Sequence, residues 1–278
     1  MNADCHIHMV LDGVNWKEAI ARHRERPDCR FIHQSLECYR KKGVTYLRDG
    51  GDRWYVGRAA RELAADYGIT YRTPLAPLCK KGYYGQFIGL TYETLADYGA
   101  LLRQHREQGA DFIKIMISGL MDFNCCGVLT GAALPASWIR ELIHMAHEEG
   151  FSVMAHANGA RTVETAAAAG VDSVEHGAYL DQSALDAMKD NGTVWVPTLS
   201  TIGNLRGKGR FSERDVAAIL DSGMENVAAF SEMGGLLAPG TDAGAWAVPH
   251  GSLTEFELLS GVPAEILEKA VSVIKEKF

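Results

Sequence analysis

No CxxC pair occurs in this sequence, no glycine-rich phosphate loop follows its first apolar run, and nowhere do about 18 uncharged apolar residues stand together. The first absence leaves a structural zinc ribbon without ligands. The second argues against an open, doubly wound sheet that binds a dinucleotide, because His6-Ile7-His8-Met9-Val10-Leu11 is nothing like the loop such a fold needs. The third leaves no candidate membrane span. Proline is scarce, at 8 of 278 residues, and no proline-rich or low-complexity linker divides the chain. Six cysteines, two of them adjacent at Cys125 and Cys126, suit reduced thiols better than a disulfide framework. Charge of one sign is never concentrated: 28 Lys and Arg face 35 Asp and Glu, a net −7 spread over the chain. Neither nucleic acid nor an anionic membrane is therefore an expected partner. The first residues, Met1-Asn2-Ala3-Asp4-Cys5-His6, form neither a basic segment nor an apolar leader, so a cytoplasmic protein is expected.

What the sequence does contain is a rhythm. Short apolar or β-branched runs alternate with longer stretches of helical period, the pattern of βα units around a parallel sheet. Eight strands are predicted: Ala3 to Val10, Val44 to Asp49, Ile69 to Leu75, Asp111 to Ile117, Ser152 to His156, Ser173 to His176, Thr193 to Pro197 and Leu236 to Asp242. Helical patterns lie between them. In Ala133 to Glu149, for example, Trp138, Leu142, Met145 and Ala146 share one face and Gly150 supplies the stop. Eight such units predict an α/β fold of the (β/α)₈ TIM-barrel type, with residues 1–278 as a single domain. The last helix, Ala264 to Lys277, carries the apolar stripe Ile266, Leu267, Ala270, Val271 and Ile274, expected to pack beside strands 1 and 8.

The metal-competent side chains fall at the C-terminal ends of these strands, the face that carries barrel active sites. His6 and His8 are two apart on strand 1 and point the same way. His156 ends strand 5 and His176 ends strand 6; four imidazoles converging on one cavity need partners, and a metal supplies them. In Asp111-Phe112-Ile113-Lys114-Ile115-Met116-Ile117 alternation turns Lys114 inward. Burial favours its neutral amine, which can take up carbon dioxide as a carbamate and become an anionic ligand; the alternative is a lysine paired with a strand-end carboxylate. Asp242, in Gly240-Thr241-Asp242-Ala243-Gly244, closes strand 8, where it can both ligate a metal and shuttle a proton.

The set HxH, Lys114, His156, His176 and Asp242 resembles the binuclear-metal amidohydrolase superfamily. Its nearest likeness is to the prolidase-like, imidazolonepropionase-related subgroup. Similar phrases are Phe112-Ile113-Lys114-Ile115-Met116, His156-Ala157-Asn158-Gly159-Ala160, Gly170 to Gly177, Val196-Pro197-Thr198-Leu199, and Gly240 to Gly244 followed by Pro249-His250-Gly251. The resemblance implies two divalent metal ions, zinc being expected: one on His6, His8 and Asp242, the other on His156 and His176, with carboxylated Lys114 and a hydroxide bridging them. It implies hydrolysis of an amide or ester bond of a small molecule, such as a dipeptide, an N-acyl amino acid or a cyclic amide, with Asp242 as catalytic proton shuttle. Homo-oligomerisation stays open. Two features depart from the family pattern: with strand 1 starting at residue 3 and a helix at the other end, no flanking β-sandwich is expected, and the loop after strand 3 reads Leu78-Cys79-Lys80-Lys81-Gly82-Tyr83-Tyr84-Gly85-Gln86-Phe87.

Substrate contacts are assigned to His250, Arg206, Arg210 and Tyr83, on loops expected at the same face; His250 can instead support Asp242. His23, His33 and His105 have no partner at ligand spacing, His144 and His147 read as solvated helix surface, and Cys125 and Cys126 lack a base that would activate them. Two other readings compete: a mononuclear deaminase on the same fold, whose usual HxxE pair is absent after strand 5, and a metal-binding scaffold without activity.

Overall fold

The computed structural model describes residues 2–278. Its strands are β1 Ala3–Ile7, β2 Tyr46–Asp49, β3 Thr70–Arg72, β4 Leu78–Lys80, β5 Leu90–Tyr92, β6 Ile113–Met116, β7 Val153–Ala157, β8 Ser173–His176 and β9 Val194–Val196. The helices are α1 Trp16–His23, α2 Cys29–Lys41, α3 Val56–Ala64, α4 Leu95–Gln108, α5 Ala136–Glu148, α6 Ala160–Ala168, α7 Gln182–Asp190, α8 Ser200–Gly203, α9 Glu213–Glu232, α10 Thr254–Leu258 and α11 Ala264–Lys277. All ladders are parallel and fall into two sheets, β1-β2-β3 and β5-β4-β6-β7-β8-β9. Helix ends follow local chemistry. Thr94 and Asp97 form a reciprocal capping box on α4, and Gly109 ends that helix in the left-handed conformation.

The barrel closes through two irregular places, each with a chemical cause. The third stave breaks into β3, which pairs with β2, and β4, which pairs with β6. Pro74 and Pro77 lie between them and cannot donate to a ladder. The Asp111 carboxylate bridges the break by accepting the Thr73 N–H at 2.8 Å, while Thr73 C=O accepts the Asp111 N–H at 3.1 Å. The eighth stave, 236–243, forms no continuous strand, since it contains Pro239 and Gly240. It nevertheless bridges β9 to β1. Trp195 N–H donates to Leu236 O at 2.8 Å, Cys5 N–H to Pro239 O at 2.8 Å, and Asp242 N–H to His6 O at 2.7 Å. The Asp4 carboxylate takes over where backbone pairs are lacking, accepting Thr241 N–H at 2.9 Å and the Thr241 hydroxyl at 2.6 Å.

The alternation read on β6 holds. Ile113, Ile115 and Ile117 join the apolar layer between sheet and helices, with Leu142, Ile143, Val174 and Trp195. Phe112 belongs instead to a second cluster with Tyr46, Val194, Val196 and the α11 residues Ala270, Val271 and Ile274, so α11 closes the end of the barrel away from the strand C-termini. Ile266, counted in its stripe, packs only partly buried against the larger cluster. Among the described residues no β-sandwich forms, and no helix is long and apolar enough to cross a membrane.

His147 is exposed on its helix, as expected, and is also bonded: its Nε2 lies 2.9 Å from Asp172, whose carboxylate also accepts Val153 N–H at 2.9 Å and Lys277 Nζ at 2.8 Å. Asp172 thus ties α5, β7 and α11 together. Burial alone would raise its carboxyl, but the bonds from His147, Lys277 and Val153 outweigh burial and hold it below the usual carboxylate range. Because its folded pKa lies below its unfolded value, the stability it contributes is present above the unfolded value and is lost as pH falls through the folded one. Asp172→Asn should therefore cost about 1–3 kcal/mol near neutral pH, with the gap to wild type closing in acid. Denaturant unfolding across pH measures it; a difference that stays constant into acid would contradict this account.

Candidate metal centre

Three ligand atoms meet at the C-terminal mouth of the barrel. His6 Nε2 lies 3.4 Å from His8 Nε2, His6 Nε2 lies 3.5 Å from Asp242 Oδ1, and His8 Nε2 lies 3.4 Å from the same oxygen. Strand alternation brings the two histidines to one face, and the eighth stave delivers Asp242 beside them. All three are buried, yet among the described residues Asp242 Oδ1 has no hydrogen-bond partner, nor does His8 Nδ1. Buried polar atoms left so are costly. A near-equilateral triangle of about 3.4 Å is the edge length that tetrahedral bonds of about 2.0–2.1 Å produce, so these residues fit a divalent ion such as zinc.

Lys114 Nζ is buried beside the cluster and also lacks a partner. No carboxylate pairs with it within ion-pair distance, which removes the alternative of a strand-end salt bridge among the described residues. Burial pushes its ammonium below the ordinary amine range, and burial raises the Asp242 carboxyl above the ordinary carboxylate range. Burial, followed by the charge of Lys114, lowers His8 and His156 to about 3. Burial also holds His6 and His176 well below 6.5, so the imidazoles are neutral and have lone pairs to offer.

His156 and His176 stand against the same cavity, with ring centroids 4.5 Å apart, and His176 lies 5.1 Å from His6. Their nitrogens are not gathered as tightly as the first three. His156 Nε2 donates to Gly119 O at 3.2 Å, and His176 Nδ1 lies 2.7 Å from the Thr198 hydroxyl. His176, Thr198 and Asp242 all adopt left-handed backbone, with φ of 70°, 49° and 54°, a conformation that costs about 1–3 kcal/mol at a non-glycine residue and clusters at functional sites.

The candidate substrate residues fare differently. His250 is half-buried with both nitrogens bonded, one to the Tyr39 hydroxyl at 3.0 Å and the other to Leu11 O at 2.9 Å, so it braces the loop after the eighth stave. Arg206 and Arg210 are exposed between α8 and α9, and Arg210 lies over the Trp246 ring at 4.4 Å. Tyr83 is half-buried and packs against the larger apolar cluster. Its neighbour Tyr84 stands against the site, with its ring 4.7 Å from that of His156.

Sequence reasoning also passed over Arg48 and Glu175. Both are fully buried. Glu175 Oε2 lies 2.6 Å from His6 Nδ1, and its Oε1 accepts Arg48 Nη2 at 2.8 Å. The inward alternation that singled out Lys114 applies equally to Arg48 in Tyr46-Leu47-Arg48-Asp49, and would have found it.

A glycine makes room for the cluster: a Cβ on Gly50 would stand 2.2 Å from His8 Cε1. Gly50→Ala should leave the barrel intact and rotate the His8 ring out of the triangle. A crystal structure of the variant checks this, and a His8 ring still facing Asp242 would refute it.

No family model matches the chain. Ochratoxinase of Aspergillus niger is 23% identical over 308 residues, covering 94% of this chain and 63% of the relative. An uncharacterized protein of Mycobacterium bovis is 32% identical over 269 residues, covering 92% of this chain and 65% of its own length. The chain thus spans a little under two thirds of these relatives. A solved Xaa-Pro dipeptidase with methionine bound in its active site superposes with a TM-score of 0.77 at 21% identity, over 99% of this chain and 75% of that one. Solved structures of an amidohydrolase, of Aspergillus niger ochratoxinase and of a putative prolidase from Bifidobacterium longum share the architecture. The chain has the parallel α/β barrel fold of the amidohydrolases.

Proposed function

We propose that this chain is a metal-dependent hydrolase of the amidohydrolase superfamily that cleaves an amide bond in a small molecule. The observation that carries the reading is the buried triangle of His6, His8 and Asp242, whose unpartnered Asp242 oxygen and neutral imidazoles form a donor set for a divalent cation. The relatives support amide chemistry, since one is named for dipeptide cleavage and another for ochratoxin. In this reading His6, His8 and Asp242 would hold a first ion, His156 and His176 would hold a second, and Lys114, as a carbamate, would serve as a further anionic ligand. Its buried, unpartnered amine favours the neutral form that such a reaction with carbon dioxide requires.

Bound divalent ions supply Lewis acidity toward a carbonyl and lower the pKa of water. The chain's own groups do the rest. Asp242 Oδ2 takes a proton from the attacking water and returns it to the leaving nitrogen. Tyr84 covers His156 and screens that side of the cavity from water.

Asp242→Asn should keep the fold, because asparagine tolerates the left-handed backbone at this position, and should lower turnover by at least about a hundredfold. Metal content measured on the same sample separates the roles: a low rate with normal metal supports the shuttle, whereas near-wild-type turnover removes Asp242 from the mechanism. Lys114→Ala should lose the second ion and activity, with partial rescue by short carboxylic acids; full activity would defeat its assignment. The test of the whole reading is elemental analysis of chelator-free protein combined with a screen of dipeptides and N-acyl amino acids. About two ions per chain with amide cleavage is expected. Because one triangle alone suits a single ion, a stoichiometry staying near one would favour a mononuclear deaminase.

A further inference from the structure

We propose that Glu175 is a positioning residue that fixes which nitrogen of His6 carries the proton, and that Arg48 fixes Glu175 in turn. The inference rests on the reading of His6 as a metal ligand. Glu175 is fully buried, and each of its oxygens has a distinct assignment. Oε1 accepts from Arg48 Nη2 at 2.8 Å and from the Ser173 hydroxyl at 2.6 Å. Oε2 faces His6 Nδ1 at 2.6 Å. A carboxylate paired with an arginine can only accept, and a neutral imidazole has one N–H, so the His6 proton lies on Nδ1. Its lone pair is then on Nε2, the atom that faces His8 and Asp242.

Arg48 cannot shift to release this arrangement. Its Nε donates to Cys5 O at 2.8 Å and its Nη1 to Ser173 Oγ at 2.8 Å, while the Phe278 ring covers the guanidinium at 4.4 Å. One side chain from β2 thus clamps β1 and β8 together and presents the carboxylate to His6 in a single orientation.

Glu175→Gln tests this with almost no change of shape. The amide has one oxygen, and Arg48 and Ser173 both donate at the Oε1 position, so that oxygen must stay there. The NH₂ then faces His6 Nδ1, which must become an acceptor. The proton moves to Nε2 and occupies the lone pair that would bind metal. In the double variant Glu175→Gln with Arg48→Met the amide is free to turn its oxygen back to His6.

The experiment uses the full chain, freed of metal and labelled with ¹⁵N. The His6 ring shifts report the tautomer, and competition against a chromophoric chelator reports the affinity for Zn²⁺ alone. Wild type should carry the proton on Nδ1; E175Q should carry it on Nε2 and bind Zn²⁺ about 10- to 100-fold more weakly; the double variant should return both properties toward wild type. Far-UV circular dichroism confirms that each variant is folded. A wild-type His6 protonated on Nε2 overturns the proposal without any variant, so a misfolded E175Q does not shelter it. Unchanged affinity in folded E175Q overturns it as well. Wild type with the expected tautomer but no Zn²⁺ affinity would instead overturn the metal reading and leave the tautomer assignment supported.

Discussion

A charged arginine and a glutamate buried inside a barrel are the constraint around which this structure is arranged. Neither has access to water, so each depends on the other and on a small set of fixed partners. Removing ions from water costs several kcal/mol apiece, and such a pair adds little net stability compared with apolar packing. What it supplies is orientation. Arg48 joins β2 to the backbone of β1, Glu175 joins β8 to His6, and the α11 end of the barrel covers the guanidinium with an aromatic ring. The side chains at the mouth inherit their geometry from this layer beneath them.

The two breaks in the barrel show a related economy. Prolines remove ladder donors from the third and eighth staves, and in both places a buried or half-buried aspartate replaces the missing pairs with its carboxylate. At the eighth stave the substitution brings a gain: Asp4 anchors Thr241, and the next residue can then leave the strand direction at a positive φ to face the histidines. A regular strand would have pointed residue 242 along the pleat.

Much of this was legible in the sequence. The (β/α) rhythm placed seven of eight strands, because an apolar run of four to eight residues between two helical patterns is too short for a buried helix and too apolar for a surface loop. The eighth failed as a ladder because Pro239 interrupts it, and the strand pair β4 and β5 was missed because three-residue strands in a loop of lysines and glycines leave no periodic signal. The site was legible wherever a polar residue interrupted an apolar strand. Arg48 satisfied the same criterion as Lys114 but had no motif to draw the eye. The place of Tyr84 beside His156 depends on the path of a loop around Gly85, whose φ of 105° brings it against Met116, and local sequence carries no such information.

The seam between β1 and the eighth stave has a meaning for the order of folding. Its partners, Asp4 with Thr241 and His6 with Asp242, lie more than two hundred residues apart along the chain. Contacts so distant in sequence carry a large loop-closure cost and form late. The ligand triangle straddles this seam, so it does not exist until the ring of strands has shut. An ion with affinity for the triangle would therefore recognise only the finished barrel, and would act as a latch on that joint.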